Sequence, residues 1–455
     1  PGALVAEIAD NGVDFILLFE DLGPARGGNQ LASCSAADAR AGVKQAAAIH
    51  APSWDNRALL DIPWLQPNPA QTDQVKALGT DAAAMGTAQL AALNTQNVVG
   101  LTAAAVGAMS SDQIAALDAD MNQLGTSYMA VLTTASIKGL TTAAITGLSS
   151  DQVAALGADA VGLASDALAA LTSVNVKGLT TAAVAALSTD QINALAANAA
   201  ALTTAQLAAL TDANIVGLST DALAGLSSAQ VAALGADVTG LSTDGLKALT
   251  SSNIRGLTST AMAALSSDQV SALGTDSVTL LTAQINALTT ANVVGLGTAT
   301  LAALSSDQVA ALGADAAEFG TAQLAALSAA NAKGLTAAAM AAFRSDQVGA
   351  LGTDAVALSS QQLAGLTTAN VVSLATAALA AMSSDQIAGI GADASALGTG
   401  QIAALVSGNI KGLAAGAISG FDSAQVNALG TTASGFGTAQ LAGLTSINIV
   451  GDRKS

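Results

Sequence analysis

The sequence predicts an all-α solenoid of very short helices. Three observations carry that expectation: a 39-residue period, a start-and-stop grammar within each unit, and apolar spacing of helical type. Cutting the chain after each Leu-like residue makes the period visible. Residues 149–187 then read SSDQVAAL, GADAVGL, ASDALAAL, TSVNVKGL and TTAAVAAL, five lines of 8, 7, 8, 8 and 8 residues that return in the same order. A Gln recurs at Gln74, Gln113, Gln152, Gln191, Gln230, Gln269, Gln308, Gln347, Gln386 and Gln425, each 39 beyond the last. An independent column of Asn (Asn97, Asn175, Asn214, Asn253, Asn292, Asn331, Asn370, Asn409, Asn448) keeps the same step, with Ser136 in its one missing place.

The array runs from Thr72 to Gly451, residues 72–451, and residues 452–455 form a tail. Residues 1–71 lack the period and hold both Trp (Trp54, Trp64), His50, Cys34 and all six Pro, so they read as a separate cap or docking segment.

Within the first line, Ser149 is placed as an N-cap and Gln152 three residues on completes a capping box. Asp151 falls in the first turn, where the helix dipole favours an acid. Leu148 and Val153 have the spacing of a hydrophobic staple, and Gly157 is placed to end the helix in the left-handed conformation. In the fourth line the same stop is expected earlier, at Gly100, Gly139, Gly178, Gly217, Gly256, Gly295, Gly334, Gly412 and Gly451, with Ser373 the exception. A helix of about six residues is far below the roughly 12–15 needed for marginal stability alone, so neighbouring units must stack.

The alternative is a β-solenoid, suggested by Thr and Ser content and by the β-branched column Val75, Ile114, Val153, Ile192, Val231 onward. Apolar spacings of three then five do not fit a strand's period of two. A 39-residue strand coil would also need a perimeter near ~130 Å, too wide to fill with Ala and Leu. The column Asp73, Asp112, Asp151, Asp190, Asp268, Asp307, Asp346, Asp385 would stack like charges about 4.8 Å apart in strands, against roughly 8–10 Å between packed helices. Taking one repeat as one layer gives about ten layers of roughly 10 Å.

Of the 455 residues only 10% are charged and 2% aromatic, with one Cys, one His and one Tyr, a composition that speaks against an enzyme. The net charge of −18 speaks against nucleic acid as a partner. A single Cys34 excludes an intrachain disulfide and any Cys-based zinc site. No run of eighteen apolar residues exists to span a bilayer, and no signal-peptide pattern is present. The start at Pro1 reads as a processed or truncated product.

No residue qualifies as catalytic, cofactor-binding or metal-ligating. Two Asp columns, the second being Asp81, Asp120, Asp159, Asp237, Asp276, Asp315, Asp354 and Asp393, lack the dense carboxylate spacing of calcium loops, which leaves capping and solvation. Lys138, Lys177, Arg255, Lys333 and Lys411 share a column with Val99, Val216, Val294, Val372 and Val450, a sparse basic stripe read as a solvated face or a lateral contact. His50 has no metal-spaced partner, and Ser53 and Asp55 beside it follow no nucleophile motif. Cys34 lacks a basic activator, and Gly23, Gly27 and Gly28 make no phosphate loop. Val13–Gly23, VDFILLFEDLG, is the most hydrophobic stretch outside the array, fit to cover an apolar end of it or to belong to a small N-terminal core.

The unit Leu-Thr/Ser-x-x-Gln-Ile/Val-x-Ala-Leu, as at Leu304–Leu312 and, with Leu in the β-branched place, Leu202–Leu210, resembles the repeats of large secreted bacterial proteins labelled haem-utilisation or adhesin proteins. The resemblance covers residues 72–451 and implies an extracellular or cell-surface location. Haem binding does not carry over, since His50 lies outside the array and Met85, Met109, Met121, Met129, Met262, Met340 and Met382 mostly fill Leu or Val columns. The leading expectation is an extracellular structural subunit that stacks head-to-tail into a filament, because the final layer stops after its fourth line, at Thr445–Gly451, with no polar cap. The alternative is a monomeric adhesin stalk or binding scaffold presenting its repeated face to a cell-surface partner. No cofactor is expected.

Overall fold

The computed structural model describes residues 3–8, 15–19 and 72–445. The chain divides into two units, residues 1–70 and 71–455. In the first, β1 (Ala3–Ile8) pairs antiparallel with β2 (Phe15–Phe19), the register running from Ile8 opposite Phe15 to Ala3 opposite Phe19 with an irregularity at Ala3/Val5. Helical grammar gave no sign of this hairpin, although β2 falls inside the apolar stretch already singled out.

The second unit is an α-solenoid: 48 short helical elements run from Thr72 to Ala442 with no strand among the described residues. The first line is an α-helix, as at Ser150–Ala155, and the third and fifth are α-helices at Ser165–Ala169 and Thr181–Ala186. Second and fourth lines wind more tightly, into 3-10 helices at Gly157–Gly162 and Asn175–Gly178. Pieces this short suit the 3-10 form, whose hydrogen-bond geometry is poorer over long runs.

First-line caps form as the sequence predicts. Ser149 Oγ accepts from the Gln152 amide at 3.2 Å while Gln152 Oε1 accepts from the Ser149 amide at 2.8 Å. Gly157 has φ +60°, and Gly79, Gly235, Gly274, Gly313, Gly352, Gly391 and Gly430 repeat that conformation. Asp118 (φ 41°) and Ala196 (φ 47°) hold it without the freedom of glycine.

Fourth-line helices end at their glycines as expected, at Gly100, Gly139 and Gly178 for example, but the left-handed conformation expected of that stop is corrected. None has a positive φ among the described residues; each marks a close approach of two backbones. A methyl group on Gly178 would lie 2.1 Å from the Ser150 carbonyl oxygen, and one on Gly139 or Gly334 would clash likewise with Ser111 or Ser306. The chain there needs glycine for space and not for handedness.

Turn size is the second correction. The closely packed non-sequential pairs all join elements three apart: Ser150–Ala155 packs on Asn175–Gly178, Gly157–Gly162 on Thr181–Ala186, and Ser165–Ala169 on Thr189–Ala194. One turn is therefore three lines, about 23 residues, and the elements make sixteen turns, not ten layers of 39. Five lines per repeat and three per turn share no divisor. Along any one side the lines therefore follow the fixed order first, fourth, second, fifth, third, then first again.

The core lies inside this three-sided coil. Line-ending Leu148, Leu156, Leu163, Leu171, Leu179 and Leu187 are buried, as are Val153 and Ile192 of the β-branched column, while Ala144, Ala160 and Ala183 fill the narrow places with no exposed surface. Burying each large apolar side chain is worth about 1.5–3 kcal/mol, which stabilises helices too short to stand alone. Met121, Met129, Met262 and Met340 are likewise fully buried, as packing in Leu and Val columns requires.

Candidate functional surface

Three side-chain columns tie each turn to the one before. Gln152, having capped its own helix, uses Nε2 to donate to the carbonyls of Asn122 (3.1 Å) and Leu124 (2.7 Å). The third-line Gln206 donates to Val176 at 3.2 Å and to Leu179, and Tyr128, standing in that column, keeps one such bond through its hydroxyl to Leu101 at 2.8 Å. In the fourth line Asn175 accepts from the Thr172 amide at 2.7 Å and donates to Ile145 (2.8 Å) and Leu148 (3.0 Å). Asn175, Asn253, Asn292 and Asn370 are each only 1% exposed, so these amides are built into the interior. Ser136, in the Asn column, bonds only within its own turn, to Thr133.

The polar columns that faced solvent in the sequence remain exposed, but they are not stripes. Successive members of a 39-residue column sit five lines apart, so each lands on a different side and the same side returns only after three repeats. Lys138 and Arg255 share a side five turns apart, whereas Lys177 and Lys333 face two other directions. A single lateral basic stripe is thus not formed, because the turn is shorter than the repeat. Asp112, Asp151 and Asp190 are dispersed over the three sides by the same rule.

Among the described residues no three His, Cys, Asp or Glu side chains gather as a metal site, and no described helix is long and apolar enough to cross a membrane. His50 and Cys34 lie outside the described residues, as do Gly23, Gly27 and Gly28. Two carboxyls are held above the usual range. Asp237 is raised by burial first, then by a hydrogen bond to Asp212 and by that residue's charge; Asp120 is raised by burial and by neighbouring Asp118.

At the last described turn a cleft of about 450 Å³ opens, lined by Lys411, Ser434, Gly435, Phe436, Gly437 and Gln440. Its place in the bonding pattern explains it. Gln425 donates to the carbonyls of Ser395 and Leu397, and 39 residues on the matching acceptors are Ser434 and Phe436, to which no described residue donates.

The third-line entry at residues 201–206 reads Ala-Leu-Thr-Thr-Ala-Gln, in which Leu202 is buried, Thr203 caps the helix and Gln206 ties the turns. Seven tandem copies of the ALTTAQ repeat match residues 82–119, 121–158, 160–197, 199–236, 238–275, 278–314 and 316–353, more than half of the chain. This chain belongs to the ALTTAQ repeat family. The helical pattern of the ALTTAQ repeat continues beyond the last matched copy, through Thr438–Ala442. No curated protein and no solved structure matches the chain.

Each matched copy covers 37 or 38 residues, one sequence period, and so spans one and two-thirds turns of the coil. The turn itself was missed by sequence reasoning because the Gln and Asn amides bond to backbone carbonyls, which leave no column of their own. One signal was present: the only non-glycine in the fourth-line column from Gly100 to Gly412, Ser373, faces the only glycine of the column that holds Ala154, and the two are 24 residues apart, not 39.

Proposed function

We propose that this chain is an extracellular structural protein, not an enzyme, whose solenoid stacks head-to-tail into a filament. The observation that carries the reading is that each turn grips the one before through one repeated set of contacts, its Gln and Asn amides donating to the preceding turn's carbonyls, so the array extends along a single axis. Acidic residues dispersed over all three sides repel lateral neighbours and favour growth along the axis. The extracellular location rests on the resemblance to secreted bacterial repeat proteins.

Electron microscopy of the purified full chain tests this. Threads of uniform width are expected; single particles at every concentration would sink the reading. The second reading, a monomeric cell-surface adhesin or scaffold, draws on the exposed fourth-line valines Val99, Val216, Val294 and Val372, and it predicts those single particles.

A further inference from the structure

We propose that residues 118–170 form a compliant joint in the solenoid, where adjacent turns part before they do elsewhere in the described array. The joint is a property of a single chain and holds whether or not chains stack end to end.

The argument starts from the side-chain ties between turns. Along the coil, first-, third- and fourth-line positions each offer an amide to the carbonyls of the turn before. From Asn175 to Gln440 every such position keeps a cross-turn bond except Gly245, and the neighbours of that gap, Gln230 and Asn253, keep theirs. Between Gln113 and Asn175 the four positions are Tyr128, Ser136, Gln152 and Ala167. Tyr128 makes one cross-turn bond, Ser136 reaches only Thr133 in its own turn, and Ala167 has no polar side-chain atom to offer. Gln152 alone is intact, donating to Asn122 and Leu124. In place of the missing amides stand exposed hydroxyl contacts, Thr134 to Asp159, Thr141 to Asp118 and Thr146 to Ala170, for which water competes.

Three separate features fall in the same turns. Asp118 holds a left-handed φ of 41° where most repeats place glycine. Asn122 Oδ1 is buried without a hydrogen-bond partner among the described residues, a desolvation cost that opening relieves. Met109, Met121 and Met129, three of the six buried methionines, pack the core here, and their unbranched chains adapt to a shifted neighbour more readily than Leu or Ile. A repeat array is held by contacts between neighbours, so the stretch with the fewest ties opens at the lowest free energy.

Hydrogen exchange of the full chain, read by mass spectrometry, tests this. Residues 126–170 should exchange about tenfold faster than residues 282–326, the same lines four repeats on, where Gln284, Asn292 and Gln323 are all tied. Tyr128→Gln, Ser136→Asn and Ala167→Gln together restore the ties and should remove the difference. The reciprocal variant, Gln284→Tyr with Asn292→Ser and Gln323→Ala, should bring fast exchange to residues 282–326, far from either end of the array, with unchanged circular dichroism as the folding control. Equal protection of the two segments in wild type would overturn the joint. So would fast exchange of residues 126–170 that persists in the restored chain, which fraying from the start of the array predicts, or undiminished protection in the reciprocal variant.

Discussion

Gly349 and Ser373 face each other across adjacent turns: a methyl group added to Gly349 would lie 3.5 Å from both the Cβ and the carbonyl oxygen of Ser373. Elsewhere the pairing is reversed, with a side chain such as Ala154 on the first-line helix and glycine opposite, at Gly178. The turn-to-turn spacing thus requires a small residue at the fourth-line position, and the one departure is matched by a glycine on its neighbour. Gly349→Ala should be tolerated or stabilising by up to about 1 kcal/mol, because it meets ordinary contact and removes glycine from a helix. Gly178→Ala should cost about 3 kcal/mol by forcing two backbones apart. Urea midpoints of the two variants check the contrast, and equal effects would contradict the proposed packing.

The Asn175 side chain makes four bonds across and within turns, whereas the amide nitrogen of Asn97, equally buried, has no partner among the described residues. Asn175→Ala should therefore cost about 2–4 kcal/mol, leaving two carbonyls and an amide unmatched, and Asn97→Ala markedly less. Ser136→Asn restores the column and should stabilise its turn by about 1 kcal/mol. Hydrogen exchange resolves these effects locally, which matters because a repeat array opens in parts.

Ala196→Gly should stabilise by about 0.5–1 kcal/mol, since Ala196 holds a left-handed φ of 47° that its neighbours assign to glycine. Thermal melts of the single variant suffice, and a loss of stability would show that this φ is not what limits the site.

Asp237 gives a pH prediction with a definite sign. Its folded pKa lies above the ordinary carboxyl value, so the folded state binds the proton more readily than the unfolded chain. Stability contributed by this group is lowest when both states are ionised. It rises as pH falls through the folded pKa and is fully gained below the ordinary value near 3.8. Asp237→Asn should remove that rise from a series of urea midpoints taken as pH falls to below the ordinary carboxyl value; an unchanged slope would contradict a carboxyl raised by burial and by Asp212.

Stacking order makes deletions unequal. Removing residues 149–187, a full 39-residue repeat, leaves each later line resting on its proper type, because five lines vanish together. Removing residues 149–171, one structural turn, sets the fourth line on a third, the fifth on a fourth and the first on a fifth. The longer deletion should fold with a cooperative melt and the shorter should lose protection at the junction, as read by hydrogen exchange.

Local structure was legible in the sequence because its causes are local. Ser149, Gln152 and Gly157 act within one helix, and their spacing alone shows cap and stop. The pairing of turns was not legible, since Gln152 and Asn175 bond to carbonyls that any residue supplies. Gly178 was misread for a related reason: glycine serves both positive φ and close approach, and only the facing Ser150 carbonyl distinguishes them. The hairpin of β1 and β2 lies where no repeat exists to compare.

Three lines make one turn of the coil, and disulfide trapping measures this directly. In a Cys34→Ser background, cysteines at 255 and 279 replace an Arg and a Thr 24 residues apart whose Nε and carbonyl oxygen are 2.8 Å apart across adjacent turns. Cysteines at 255 and 294 replace two members of one 39-residue column. Three lines per turn predicts rapid oxidation of the first pair and none of the second. Rapid closure of the 255/294 pair with an inert 255/279 pair would contradict it and return the repeat as the turn.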